Sequence, residues 1–412
     1  MTGARIEPPI EVRLAAAGLP PLPRTAWLEI DLDALTGNLA TLRARAGTSV
    51  PIHPVVKADA YGHGAVEVAR TLETAGADGL CVATIDEALE LREAGIGLPI
   101  LVLYPVPATW LDAARAGAID VTAGDPVLLQ RLLAVPAGDA ASLGVQVEVE
   151  TGLGRGGFPV EGVVDVAAQL TAHPATRLTG LWSHLQAPAD QARTARQVER
   201  FEAAVATVVA AGIELPPRHL ASSGMLLGDE VIADGGTRPG LSLYGIVPDE
   251  LPEAAGQAVP PGLRPVLSLH ARPVRVADLP AGWGISYGPS FSTERPSRIA
   301  TLPLGYGDGW SRALSNRADA LVRGRRCPVV GTVAMDAIMV DVTDVPGPPV
   351  GVDDLFTLIG GQADERIDAR DLARARTTIS WEIVTSMSRR LPRVYHSAAG
   401  HLSVRFLVHR SG

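Results

Sequence analysis

Short apolar runs alternate with amphipathic stretches from about residue 25 to 245. The runs at 54–57, 79–83, 100–104, 119–123, 145–150, 178–184, 218–222 and 241–245 read as strands. Helical periods lie between most of them: Val66, Ala69 and Leu72 share one face, and 203–211 carries a similar stripe after Phe201. Gly76, Gly95, Gly117 and Gly212 stand where such helices commonly stop. Repeated strand–helix units predict a parallel sheet covered by helices, and eight of them predict a closed (β/α)8 barrel of the α/β class. A further run at 27–30, followed by a helix bearing Leu35, Leu39 and Leu42, is one strand too many for that barrel. It is assigned to a second domain.

The pattern changes near residue 250. Residues 252–265 are rich in Pro, Ala and Gly and read as a linker. The runs at 266–276, 299–303, 320–322, 328–332, 337–342 and 354–359 are β-type with turn residues between them, which predicts a mostly antiparallel β domain. One helix is expected at 381–391, with Ile383, Val384, Met387 and Leu391 on one face and Pro392 as its stop, and a last strand at 401–408. Residues 1–23, with scattered charges and prolines, read as a disordered lead-in without the apolar stretch of a signal peptide. The expected domains are therefore 24–260 for the barrel and 261–412 for the β domain.

Composition narrows the function classes. No run of about 18 apolar residues occurs, so no membrane span is expected. A net charge of -9 without a long basic run argues against a nucleic-acid partner. Cys81 and Cys327 are far apart, which fits packing roles in a reduced, cytoplasmic setting. The nine histidines show no His-Glu-x-x-His spacing, no Cys-x-x-Cys occurs, and no metal site is expected.

The chemistry concentrates where strands end. Lys57 closes an apolar run and a Gly-rich turn follows at once. An amine walled by apolar groups loses hydration, which lowers its pKa and favours the neutral, nucleophilic form. At other strand ends stand 150–157, His184, 222–224 and 238–240. Together they offer two phosphate-binding turns, a guanidinium and an imidazole around one barrel mouth. Each piece alone has an ordinary reading: a solvated lysine, a turn arginine, a core histidine, Gly-rich loops that only turn the chain. A reactive lysine beside a phosphate cradle points to pyridoxal phosphate.

With these residues in view the chain resembles the alanine racemases. The resemblance is carried by 55–64, 152–156, Arg238-Pro239-Gly240 with Leu243-Tyr244-Gly245, Ser286-Tyr287-Gly288, 302–310, and Met335-Asp336 with 339–343, in that order. It spans about residues 25 to 410. It implies a pyridoxal-phosphate homodimer in which each active site is completed by the partner's β domain, racemising alanine and supplying D-alanine for the cell wall. By the resemblance, Lys57 holds the cofactor and acts as one acid/base, and Tyr287 of the other subunit is the second. Tyr61, Ser223, Gly240 and Leu241 hold the phosphate, Arg238 faces the pyridine nitrogen, and His184 supports the ring. Arg155 meets the cofactor and the substrate carboxylate, Met335 offers its backbone N–H to that carboxylate, and Tyr306 lines the substrate entrance. His63, Asp336 and Asp308 match motifs, with a supporting role and a packing role both open.

Four positions depart from the family pattern. Glu148 stands where many members carry a lysine modified to a carbamate that braces the active-site arginine. It keeps a carboxylate on a shorter side chain; bracing of Arg155, with or without a bridging water, and pairing with another barrel cation both stay open. Trp381 replaces a phosphate-binding tyrosine, Ser222 an asparagine beside Ser223, and Glu150 an aspartate at the head of the Gly-rich turn. Three other readings stay open at this point: a serine or broad-specificity racemase, a decarboxylase on the same architecture, and a pyridoxal-phosphate-binding protein with little catalysis.

Overall fold

A computed structural model describes residues 8–136, 141–228, 235–251 and 262–407. It divides into two compact units, Ala34–Arg264 and a second made of Met1–Asp33 with Pro265–Gly412. The expected linker falls largely in 252–261, outside the described residues.

In the first unit the strands Leu80–Val82, Ile100–Val102, Ile119–Ala123, Leu143–Glu148, Thr176–Trp182 and Arg218–His219 pair side by side, all parallel. Ala221–Ser222 continues the last of them and pairs with Thr237–Arg238. Residues 52–55 close the ring, because Ile52 bridges Thr237 and Val55 bridges Cys81. The result is a (β/α)8 barrel whose strands are buried almost throughout, which is why they read as continuous apolar runs. Helices such as Ala65–Thr74, with Val68, Ala69 and Leu72 buried, and Gln191–Ala210, with Phe201, Val205 and Val208 buried, cover it.

Two barrel expectations are corrected. The eighth strand is Thr237–Arg238, and 241–245 is instead a 3-10 turn, Leu241–Tyr244. Pro239 and Gly240 end the strand early. The four residues of the turn are all buried, and so short a run, Leu-Ser-Leu-Tyr, does not reveal its period. Lys57 does not end a strand either; it opens the turn Lys57–Tyr61.

The second unit is an 11-stranded sheet. Ala26–Asp31 lies inside it, antiparallel to Leu267–Ala271 and parallel to Arg393–His396. Ser297–Leu302 pairs antiparallel with Ile338–Asp341, which pairs with Arg325–Val330, and this in turn with Asp319–Val322. Phe356–Gln362 joins the two halves. The final strand is Leu402–Arg405, shorter than the expected 401–408.

The lead-in is not disordered over its described part. Ile10–Ala16 is a helix that buries Ile10 and Leu14 against Trp27 and Val394. The helix expected at 381–391 is also corrected, to Ser380–Thr385. The fully buried Arg393 guanidinium takes the carbonyls of Met387, Ser388 and Leu391 at 2.9, 3.1 and 3.0 Å, so the chain leaves the helix to meet it. A second helix, Ala369–Arg376, precedes it behind a capping box of Asp368 and Asp371.

Leu14→Ala is expected to lower the stability of the β unit by about 2–3 kcal/mol, because it opens a cavity in a sealed apolar cluster. The exposed Val12→Ala on the same helix is expected to stay within about 0.5 kcal/mol. Chemical denaturation followed by tryptophan fluorescence, which Trp27 reports, compares the two.

Candidate active site

The residues after Lys57 take an unusual path. Ala58, Asp59, Ala60 and Tyr61 all have φ between 53 and 55°, one left-handed turn built from four residues that are not glycine. It is anchored at every step. Glu87 Oε1 accepts the Ala58 N–H at 2.6 Å, and Asp59 Oδ1 accepts the Ala65 N–H at 2.9 Å. His63 Nδ1 reaches the carbonyls of Ala60 and Tyr61 at 2.9 and 3.0 Å, and its ring packs on Tyr244 with centroids 4.3 Å apart. Tyr244 donates to the Val55 carbonyl at 3.0 Å, and the Val55 N–H is given to Pro239 at 2.9 Å. His63 therefore fixes the turn from within a packed aromatic cluster.

This path sets Lys57 beside three other barrel residues. Burial lowers the Lys57 pKa below its ordinary value, and the Arg155 cation adds to the effect. His184 is pushed down to about 3, first by burial and then by Arg238, Arg155 and Lys57, so it is a neutral imidazole. Burial lowers Arg238 to about 10, far above neutrality, and the group stays a cation. Arg238 gives N–H bonds to the carbonyls of Ser183 and His219 at 2.6 and 2.8 Å and lies over the Trp182 ring. Its Nη1 also meets His219 Nδ1. His219 Nε2 is 2.7 Å from Gln146 Oε1, which can only accept. That contact places the His219 proton on Nε2 and leaves Nδ1 as the acceptor for Arg238. Gln146 in turn donates to Asp120 at 3.1 Å.

The second half of the site is a cradle of backbone. Ser223 Oγ accepts from Gly240 N, Ser242 N and Ser242 Oγ at 2.9, 3.1 and 3.0 Å, joining the 222–224 and 239–242 turns. A side chain at Gly240 would put its Cβ 2.6 Å from the Tyr61 hydroxyl, so only glycine lets Tyr61 close over the turn. Burial raises the Tyr61 phenol well above its ordinary value, which keeps it a neutral donor. The structure thus brings Tyr61, Ser223, Gly240 and Leu241 together. An O–H donor, a serine hydroxyl and backbone N–H groups suit a phosphate, and the residues present fit pyridoxal phosphate in both halves: cradle and amine. The turn at 150–157 is held largely by its own side chain. Glu150 takes its N–H groups, with Leu153 and Gly154 at 2.8 Å and Gly152 also bound, and Gly157 donates to Gly124.

Glu148 contacts Arg155 directly, Oε1 to Nη2 at 3.4 Å, so no water is needed between them. Its slot is walled by Gly124 and Gly156, where a Cβ would come within 3.0 and 3.2 Å of Glu148 Oε2. The Arg155 guanidinium also lies 5.5 Å from the Tyr104 ring centroid. Ser222 opens the short helix Ser223–Leu227.

The remaining candidates lie on the β unit. Tyr287 follows Ser286, which adopts φ 65° and bonds Thr332 O, and it is 77% exposed. Met335 and Tyr306 are 51% and 44% exposed on adjoining turns. Trp381 is half-buried on Ser380–Thr385. Sequence reasoning missed His219, Gln146, Trp182 and Tyr104. Strand alternation in 218–222 holds a signal for the first, since His219 and Ala221 share a face. The others depend on pairing between distant strands.

A barrel with a desolvated amine that feels two arginines, joined to a cradle of hydroxyls and backbone N–H groups, has the parts of an enzyme that handles a small phosphate-bearing molecule. The comparisons give the family. The profile for the alanine racemase N-terminal domain matches residues 30–248, and that for the C-terminal domain matches 266–395. The alanine racemase of Symbiobacterium thermophilum is 42% identical, covering 90% of this chain and 97% of its own, and that of Sorangium cellulosum is 41% identical, covering 90% and 99%. The Bacillus anthracis alanine racemase structure, solved with bound L-Ala-P, is 32% identical with a TM-score of 0.85, covering 93% of this chain and 98% of its own. The Streptomyces coelicolor enzyme is 35% identical with a TM-score of 0.79, covering 90% and 98%. The chain belongs to the alanine racemase family. It is an amino-acid racemase, an isomerase whose family interconverts L- and D-alanine with pyridoxal phosphate, and the decarboxylase and non-catalytic readings are not favoured. No helix among the described residues is long and apolar enough to cross a membrane.

The depressed Lys57 pKa has a direct consequence. Lys57 is the only lysine of the chain, so amine labelling of the cofactor-free protein reports on it alone apart from the N-terminus. Its labelling is expected to titrate with a midpoint below 10.5, and Arg155→Met is expected to move that midpoint upward. Labelling followed over pH by mass spectrometry gives both values.

Proposed function

We propose that the barrel mouth holds pyridoxal phosphate on Lys57 and that alanine is racemised there by two groups on opposite faces, Lys57 and the Tyr287 of a second copy of the chain. The observation that carries the reading is the pairing of the desolvated Lys57 amine with the Tyr61–Ser223–Gly240 cradle. When bound, the cofactor supplies an electron-withdrawing ring that acidifies the α-proton of the amino acid. Lys57, its pKa lowered first by burial and then by Arg155, takes or returns that proton on one face. A second group must work on the other face, and Tyr287 is the exposed phenol of a motif the family shares. Arg155 meets the substrate carboxylate, steadied by Glu148 and Tyr104. Arg238, which stays protonated, would face the ring nitrogen of the bound cofactor and could only donate a hydrogen bond to it. Backbone N–H of Met335 and the phenol of Tyr306 complete the substrate pocket from the partner copy. The homodimer follows from this division of groups. D-alanine for the cell wall is its product in a cell that builds one, and a cytoplasmic setting fits two buried free cysteines.

Borohydride reduction of the holoenzyme is expected to fix the cofactor on a single peptide containing Lys57. Tyr287→Phe is expected to retain the cofactor and lose about 10²–10⁴-fold in kcat, since it removes one acid/base. A wild-type kcat in that variant sinks the two-base assignment. Loss of optical rotation from L-alanine, with α-deuterium uptake from D2O, reads the activity, and the same assay on L-serine measures specificity.

Glu148→Gln keeps the shape of the brace and removes its charge. An ion pair of this exposure contributes about 1 kcal/mol, so KM for alanine is expected to rise about fivefold. A KM unchanged in steady-state kinetics removes Glu148 from the site.

A further inference from the structure

The β unit holds a group of charges that the reaction described above does not use. Asp308 is fully buried, and its carboxylate takes Arg24 on both oxygens, at 2.6 and 3.1 Å. Arg24 also donates to the Pro303 carbonyl. The same carboxylate accepts the Gly305 N–H at 3.1 Å and meets Arg390 Nε at 3.5 Å. Arg390 then reaches Asp336 Oδ1 at 2.6 Å. Two arginines and two aspartates thus form one chain of alternating charge. An isolated buried carboxylate would be costly, and this one is paired and hydrogen-bonded on every side.

The chain of charges runs beside a double backbone contact. Tyr306 N donates to Ala334 O at 3.0 Å, and Gly307 N donates to Met335 O at 2.9 Å. Closeness is obligatory there: a Cβ on Gly305 would lie 2.0 Å from Ala334 O, and one on Gly307 would lie 2.5 Å from Arg390 Nη1. Asp308 therefore anchors the turn that carries Tyr306, while Asp336 anchors the turn that carries Met335, and Arg390 ties the two anchors together.

We propose that Asp308, Arg390 and Asp336 are positioning residues that hold the Tyr306 and Met335 turns as one rigid block, fixing the spacing of the groups offered to the substrate. The inference rests on the reading that Tyr306 and Met335 meet the substrate. The block needs no contact between Asp308 and substrate, so its loss acts on binding rather than on proton transfer.

The test combines kinetics of the holoenzyme with amide exchange. The main variant is Asp336→Asn, whose side chain is exposed and whose loss leaves Asp308 paired with Arg24. It is expected to raise KM for alanine about fivefold with kcat within about twofold. The Tyr306 and Gly307 amides are expected to exchange about tenfold faster, with barrel amides unchanged. Arg390→Ala is expected to reproduce both effects and Arg390→Lys to restore part of each. Tyr306→Phe serves as the control for the underlying reading. If Tyr306→Phe raises KM while Asp336→Asn and Arg390→Ala leave it at the wild-type value, the cluster is merely structural and the proposal is overturned, whatever the exchange rates. If Tyr306→Phe leaves KM unchanged, the reading of the substrate pocket falls and takes the proposal with it.

Discussion

The left-handed turn after Lys57 is the constraint on which the site depends. An L-residue in that conformation costs roughly 1–2 kcal/mol, so four in a row store on the order of 4–8 kcal/mol. The surroundings must supply that energy, and they do so by burial and hydrogen bonding together. Glu87, Asp59 and His63 each satisfy backbone groups of the turn, and Tyr61, His63 and Tyr244 stack inside the barrel. The gain is local: within four residues of the amine, Tyr61 closes over Gly240. Strain of this kind persists only where the rest of the fold over-determines it, and it concentrates at sites of function.

Charge around the amine follows a consistent logic. Arg155 and Arg238 both depress the protonated form of Lys57, and both hold His184 neutral. Arg238 is itself affordable only because carbonyls of Ser183 and His219 and the neutral ring of His219 receive its protons. The tautomer of His219 is set in turn by Gln146. A buried cation thus has its partners chosen in a chain that runs through His219 to Gln146, on two different barrel strands, with Ser183 just past the end of a third. Meanwhile Glu148 sets its carboxyl 3.4 Å from Arg155, and burial raises the pKa of that group while the Arg155 cation opposes the rise. The apparent loss of a long side chain at that position is offset by two glycines, Gly124 and Gly156, that leave the glutamate its slot.

The departures from the family pattern therefore differ in kind. Glu150 spends its carboxylate on the N–H groups of its own turn, which ties that turn together. Ser222 opens the helix that begins at Ser223, and Ser223 receives compensation from Ser242 within the cradle. On the other unit, buried Asp308 and Arg393 shape the turns around them, one by gathering arginines and the other by gathering carbonyls.

What the sequence determined by itself was the architecture and the chemical inventory. Periodicity and turn residues carry the strand–helix alternation, the switch to antiparallel β-structure near residue 265 and the assignment of the 27–30 run outside the barrel, because each depends on neighbours a few positions apart. The motifs around Lys57, Arg238 and Tyr287 carry the family in the same way. Tertiary structure decided the rest. Leu241–Tyr244 coils because a fully buried run has no visible period, and the 381–391 pattern breaks because Arg393 draws carbonyls out of the helix. Ile10–Ala16 is a helix because Trp27 and Val394 give it an apolar floor. The handedness of the Lys57 turn, the proton on His219 and the partner of Glu148 are likewise set by side chains remote in sequence. Each is a balance between local cost and long-range contact, and only the folded chain supplies the contact.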